Sequence, residues 1–366
     1  MWTLELLRAA CARLLELLWR PFLRIATRRV ESANNADADC RCYFTENFYV
    51  QSPIRGHFSF SGAARFEQEQ SALLESLTTA QRAELLGALE AEAERRRSQG
   101  RLAAARKARI AARYAPRHPE LWTLRPDWQL HPDFVSLVEA ARRHGPSWVP
   151  PSAVLRELCP GVFALPVFTT RFCEALCEEL EAVRRSGLET GRPNSMNAHG
   201  VLLDELGLGP GLLDPLLRDW IGPLAAAIPA LGGGGGAHMD RHKSFVVRYE
   251  MGQDEELSSH YDNAELTLNV SLGRGFESGE LLFYGPKGRA AASPLAAHDW
   301  TGAGAGHAVL HLGRELHAAL PITAGERLNL VMWCRSTRWR RREGCPMCGR
   351  TDQLLRPDER VSAEDF

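Results

Sequence analysis

The sequence predicts an α+β protein, with a helical first half and a second half built from short β-strands. Three observations carry this. Leucines recur at helical spacing up to about residue 240. Beyond that point the helical period gives way to short apolar runs separated by glycine-rich turns: Phe245–Tyr249, Leu266–Leu272, Leu281–Tyr284, Ala308–His311 and Leu328–Trp333. The second run alternates cleanly: Leu266, Leu268, Val270 and Leu272 share one face, and Thr267, Asn269 and Ser271 share the other. A jelly-roll barrel with an internal site and a sandwich with one face in water both give this pattern.

Composition narrows the class. Of 366 residues 45% are apolar and 24% charged, with a net charge of −1. Disordered, collagen-like and strongly basic nucleic-acid-binding chains are excluded. Nine cysteines, an odd number, favour reduced thiols over a disulfide framework.

From the start of the chain, residues 2–26 read as an amphipathic helix. Glu5, Arg8, Arg13, Glu16 and Arg20 interrupt every window long enough to span a bilayer, so no transmembrane segment is expected. This helix either packs on the protein or serves in membrane or organelle targeting. Residues 1–39 thus form a helix and linker. A helical region follows over 40–150: Thr78 and Gln81 form a capping box, Gly100 ends the first helix, and a second covers 101–114. Nothing in 40–150 looks catalytic. Residues 151–240 form a helical support leading into the β region at 241–340, and 341–366 make a cysteine-containing tail.

Three His-x-Asp pairs occur, at His131/Asp133, His238/Asp240 and His260/Asp262. The first contains a proline and reads as a turn or helix start. The second follows five glycines, where the backbone is least able to hold ligands. Only the third sits between predicted strands, where an imidazole and a carboxylate can share one metal. Its third ligand comes from His298, His307, His311 or His317. A dicarboxylic cosubstrate also requires a fixed cation, ideally an arginine. His317 alone meets this condition, with Pro321 and Gly325 making a turn and Arg327 opening the next strand.

These residues resemble the iron(II)- and 2-oxoglutarate-dependent dioxygenases of the prolyl/lysyl hydroxylase type. The stretches FVVRYEMGQ (245–253), SHYDNAELTLNVSLG (259–273) and HLGRELHAALPITAGERLNLVMW (311–333) carry the likeness. It implies a double-stranded β-helix, a cupin-like jelly roll, in the C-terminal half. It also implies that His260, Asp262 and His317 hold iron and that Arg327 grips the distal carboxylate of 2-oxoglutarate. Dioxygen as cosubstrate, L-ascorbate, and a protein or peptide side chain as the hydroxylated substrate follow from the same resemblance. Tyr249, Thr267 and Asn269 are second-tier candidates for binding 2-oxoglutarate, or simply fill the barrel. Asn194, Asn197 and His199 read as a surface loop, with a place at the substrate entrance as the alternative.

Cys40, Cys42, Cys345 and Cys348 have spacings suited to a four-thiolate zinc site if the chain ends meet; otherwise they are free thiols. The competing functions are a non-catalytic jelly-roll binding module retaining a metal site, and a zinc hydrolase. The hydrolase lacks a general base beside the triad and leaves Arg327 without a role. Reduced cysteines point to cytoplasm or nucleus, with organelle targeting by residues 1–30 as the alternative.

Overall fold

The computed structural model describes residues 47–339, apart from 51, 55, 232–238, 274 and 337. The N-terminal helix and the four proposed zinc cysteines lie outside the described residues. The hairpin β1 (Asn47–Val50) and β2 (Gly56–Ser59) opens the described chain. It is followed by the short helices α1 (Ala63–Glu69) and α2 (Ser71–Glu75).

Helix α3 (Thr79–Arg113) begins at the expected capping box: Thr78 accepts from the Gln81 amide, and the Gln81 side chain accepts from the Thr78 amide. It does not stop at Gly100. The helix runs unbroken for 35 residues, correcting the reading of two helices. Tertiary packing at both ends outweighs the ~1 kcal/mol that an interior glycine costs. Its first half packs Leu85, Leu89 and Ala93 against Phe48, Phe60 and Phe66 in a small core of its own. Its second half docks on the main body through Ile110 and an ion pair from Arg106 to the buried Glu205 at 2.8 Å.

Helix α4 (Pro132–His144) starts at His131, whose ring accepts from the Asp133 amide. The first His-x-Asp pair is therefore a helix start. Helix α5 (Thr170–Arg185) is capped by Thr169 and buries Phe172, Cys173, Leu176, Leu180 and Val183 along one face.

Beyond the β1–β2 hairpin, the strands form two antiparallel sheets. Those from before residue 240 are β3 (Arg156–Cys159), β4 (Val162–Pro166) and β5 (Gly200–Leu202). After it come β6 (Arg241–Glu250), β7 (Leu257–His260), β8 (Leu266–Ser271), β9 (Phe276–Ser278) and β10 (Leu281–Pro286). The last are β11 (Ala296–His298), β12 (His307–Leu312), β13 (Glu315–Ala319) and β14 (Ile322–Arg335). The larger sheet has the order β3-β4-β12-β8-β14-β6-β5, with β9 on β14; the smaller has the order β11-β10-β13-β7.

The alternation read in β8 sorts two environments. Leu266, Leu268 and Val270 join Leu310, Leu328, Leu330 and Met332 in the main core, together with α4 and α5. The opposite face carries Thr267, Asn269 and Ser271, which are also buried. It meets the smaller sheet across Phe245, Val247, Tyr249, Leu281 and Phe283. The polar face therefore looks into the space between the sheets and away from bulk water. Among the described residues no helix is long and apolar enough to cross a membrane.

Gly87 is exposed inside α3, and nothing lies within 4 Å of where its Cβ would be. Gly87→Ala should therefore stabilise the fold by about 0.5–1 kcal/mol. The readout is a higher urea midpoint with unchanged slope; a lower midpoint would contradict a continuous helix through this turn.

Candidate metal centre

β7 pairs with β13 so that His260 stands directly opposite His317. The two rings lie with centroids 4.2 Å apart. His260 ends β7, a strand the sequence reading did not identify, and Asp262 lies two residues past it in the connection to β8. Its amide is fixed by the Gly313 carbonyl at 2.9 Å. A Cβ on Gly313 would sit 2.0 Å from the Ala264 carbonyl oxygen, so this close approach requires glycine.

One ligand atom from each of His260, Asp262 and His317 lies within 4.8 Å of the others. The His260 Nε2 is 3.5 Å from one Asp262 oxygen, and the His317 Nε2 is 3.7 Å from the other. Both histidines have Nδ1 at 2.8 Å from a backbone carbonyl two residues earlier, Ser258 for His260 and Glu315 for His317. A carbonyl can only accept, so each Nδ1 donates and each Nε2 is left as the ring atom that faces Asp262 and can ligate a metal. Burial and the neighbouring His260 hold His317 down to about 3, so its imidazole is neutral at pH 7. Burial works to raise the Asp262 carboxyl, but the imidazoles of His317 and His260 more than reverse it. Thr267 also donates to it at 2.6 Å. Two imidazoles and a carboxylate make a donor set that fits a divalent metal, with positions left open as in non-haem iron centres.

Arg327 is 1% exposed and fully surrounded by protein. β14 begins at Ile322, so Arg327 lies within the strand and does not open it. It stands opposite Tyr249 on β6, with its guanidinium carbon 4.5 Å from that ring centroid and 5.7 Å from that of Trp300. Its Nε donates to Asn329 at 2.9 Å and its Nη1 to the Gly279 carbonyl at 2.5 Å. Asn329 in turn donates to Asn269 at 2.6 Å. Among the described residues no carboxylate pairs with this cation. A buried charge without a counter-ion is costly unless an anion arrives. Arg327, Tyr249, His260, Asp262, Thr267, Asn269 and His317 line one cavity.

Of the second-tier candidates, Thr267 therefore holds Asp262, Asn269 supports Asn329, and Tyr249 stacks on Arg327. The segment around Asn197 is a loop with Ser195, Met196 and Ala198 exposed, but Asn197 itself is 1% exposed and lines the same cavity with Asn194. His199 is bound at its amide by Asp254. His311, one of the four candidates for the third ligand, was set aside in favour of His317, but it lies beside the cluster. It is fully buried, with Nδ1 at 2.9 Å from the Leu312 carbonyl and Nε2 3.8 Å from Asp262. Its signal was alternation in β12, where Val309 and His311 share the face that looks between the sheets.

His298, beside Trp300 at 4.5 Å, has neither ring nitrogen hydrogen-bonded. Burial, with Arg156 nearby, pushes it down to about 4. The unfolded chain, with a histidine near ~6.5, takes up the proton first, so stability falls as pH drops from 6.5 toward 4. His298→Leu should flatten that fall in urea midpoints measured at pH 7 and pH 5. An unchanged pH dependence would contradict the assignment.

Residues 110–233 match a family model described as the OGFOD2-like domain. The chain is 41% identical over 331 residues to the human 2-oxoglutarate and iron-dependent oxygenase domain-containing protein 2, covering 86% of this chain and 90% of that protein. It is 26% identical over 232 residues to a procollagen lysyl hydroxylase and glycosyltransferase of Acanthamoeba polyphaga mimivirus, covering 58% of this chain and 23% of that protein. Among solved structures it resembles a Pseudomonas putida prolyl-4-hydroxylase, at 18% identity and a TM-score of 0.34 over 57% of this chain and 97% of that one. Similarity of 41% along nine tenths of the human protein's length settles the family: the chain belongs to that of 2-oxoglutarate and iron-dependent oxygenase domain-containing protein 2.

Proposed function

We propose that the protein is an iron(II)- and 2-oxoglutarate-dependent dioxygenase that hydroxylates a protein or peptide side chain. The observation that carries this reading is the buried Arg327 cation, without a carboxylate partner among the described residues, in the cavity that holds the His260, Asp262 and His317 cluster. A metal site alone suits several functions. A metal site with a fixed guanidinium facing the same cavity suits a cosubstrate with a metal-binding end and an anionic far end.

From β6 onward the chain passes back and forth between the two sheets, and this supports a double-stranded β-helix as the finer description of the fold. In this reading His260, Asp262 and His317 hold iron through two Nε2 atoms and a carboxylate oxygen. Iron bound there, with dioxygen, supplies oxidative decarboxylation of 2-oxoglutarate to succinate and carbon dioxide, coupled to hydroxylation of a substrate C–H bond. The protein's own residues orient and insulate. Ser258 and Glu315 carbonyls fix the tautomer of each ligand histidine, and Thr267 fixes the carboxylate. Arg327 holds the distal carboxylate, and Tyr249 with Trp300 keeps its guanidinium planar against the cavity wall. Ascorbate is proposed as the reductant that sustains turnover. The likeness to the lysyl hydroxylase supports a polypeptide substrate.

Anaerobic addition of iron(II) and 2-oxoglutarate should give a visible charge-transfer band that His260→Ala abolishes. Arg327→Ala should weaken 2-oxoglutarate binding by about two orders of magnitude, as expected on truncating one partner of a buried charge pair. Iron affinity should hardly change. Equal loss of both would contradict the role of Arg327. A protein that shows the band but forms no succinate, with or without peptides, would be a binding module.

A further inference from the structure

The segment 192–199, which leads into β5, contributes Asn194 and Asn197 to the wall of the cavity that holds the metal cluster. Its backbone is held rigidly. Asp254 accepts from the amides of Ala198 at 2.7 Å and His199 at 2.9 Å. At Gly200 the chain turns with φ +144° so close to β6 that a Cβ would lie 2.0 Å from the Val246 carbonyl oxygen.

Within this segment the hydrogen bonds leave no freedom in how the two amide side chains are oriented. The Asn194 Oδ1 accepts from the backbone amides of Met196 at 2.8 Å and Asn197 at 2.7 Å, so that atom must be the oxygen. Its Nδ2 then donates to the Asn197 Oδ1 at 3.0 Å. The Asn197 Nδ2 is consequently a donor; it is buried, turned toward the Tyr249 hydroxyl, and makes no hydrogen bond of normal geometry. A buried amide N–H whose hydrogen bond is poorly formed is destabilising, and native structures leave few of them. The group stands beside the Tyr249 hydroxyl, and the guanidinium of Arg327 stacks on the same ring.

We propose that Asn197 is a cosubstrate-binding residue whose Nδ2 donates to the distal carboxylate of 2-oxoglutarate, beside Arg327. This rests on the 2-oxoglutarate reading above. A carboxylate has about four acceptor positions and is not saturated by one arginine. The remaining Arg327 nitrogen and the Asn197 amide supply donors from two sides, one from β14 and one from a segment that precedes the metal-binding strands. The segment therefore acts as a strap over the anionic end of the cosubstrate, and the upstream part of the chain contributes directly to the site.

The test compares two probes on the full chain loaded with iron(II) under anaerobic conditions. One is 2-oxoglutarate; the other is 2-oxovalerate, which keeps the metal-binding end and lacks the distal carboxylate. Asn197→Ala should weaken 2-oxoglutarate binding roughly tenfold, the effect of losing one hydrogen bond to a charged group. Binding of 2-oxovalerate and of iron should be unchanged. Asn197→Asp, which sets a carboxylate against a carboxylate, should weaken 2-oxoglutarate further still. Met196→Ala, at an exposed neighbour, should change neither probe. No loss for 2-oxoglutarate in either Asn197 variant, or an equal loss for both probes, overturns the proposal. If the unaltered protein binds neither probe in the presence of iron, it is the 2-oxoglutarate reading that fails.

Discussion

A single positive charge, enclosed between two sheets without a carboxylate partner among the described residues, sets the terms for this molecule. Arg327 cannot be stabilised by water where it lies, so the protein surrounds it with what an uncompensated guanidinium tolerates. Two aromatic faces, an amide oxygen and a backbone carbonyl do this. That arrangement keeps one edge of the group available. The apolar residues around it, among them Phe245, Val247, Leu281 and Phe283, close the rest of the space between the sheets. The other face of the larger sheet packs Leu268, Leu310, Leu330 and Met332 against α4 and α5.

The metal corner follows a similar economy of parts. A single register, His260 opposite His317, brings two imidazoles together from strands that are far apart in the chain. Each ring is then oriented by the carbonyl two residues before it on its own strand. Orientation of the ligands thus comes from backbone that the sheet already holds still, and needs no additional side chain. Asp262 is different. It lies in the connection between β7 and β8, where backbone is less constrained, and is held instead by the Gly313 carbonyl and the Thr267 hydroxyl.

The N-terminal half does more than cover the sheet. Helix α3 joins a small separate core around Phe48 and Phe66 to the main body, where Arg106 meets the buried Glu205. Glu205 accepts from the Gly191 amide at 2.7 Å, which anchors the start of the strap bearing Asn194 and Asn197. A contiguous set of contacts therefore runs from the long helix to the cavity wall.

Local pattern in the sequence was enough to determine much of this. Period-two alternation marked β8 and its two faces, since successive side chains on a strand must diverge. The spacing of His260, Asp262, His317 and Arg327 marked the site, because metal and dicarboxylate chemistry demand those groups in that combination. Other features depended on which residues meet across the fold. Gly100 read as a helix end until packing at both ends of α3 was seen to override it. The place of His311 beside Asp262 and the part played by Asn329 became visible only through the pairing of β12 and β14 with β8, and the burial of Asn197 only through the strap that carries it to the cavity. An asparagine in a polar stretch looks the same to local pattern whether it faces water or a buried carboxylate site. Only the tertiary structure decides which of its hydrogen bonds the chain has left unmade.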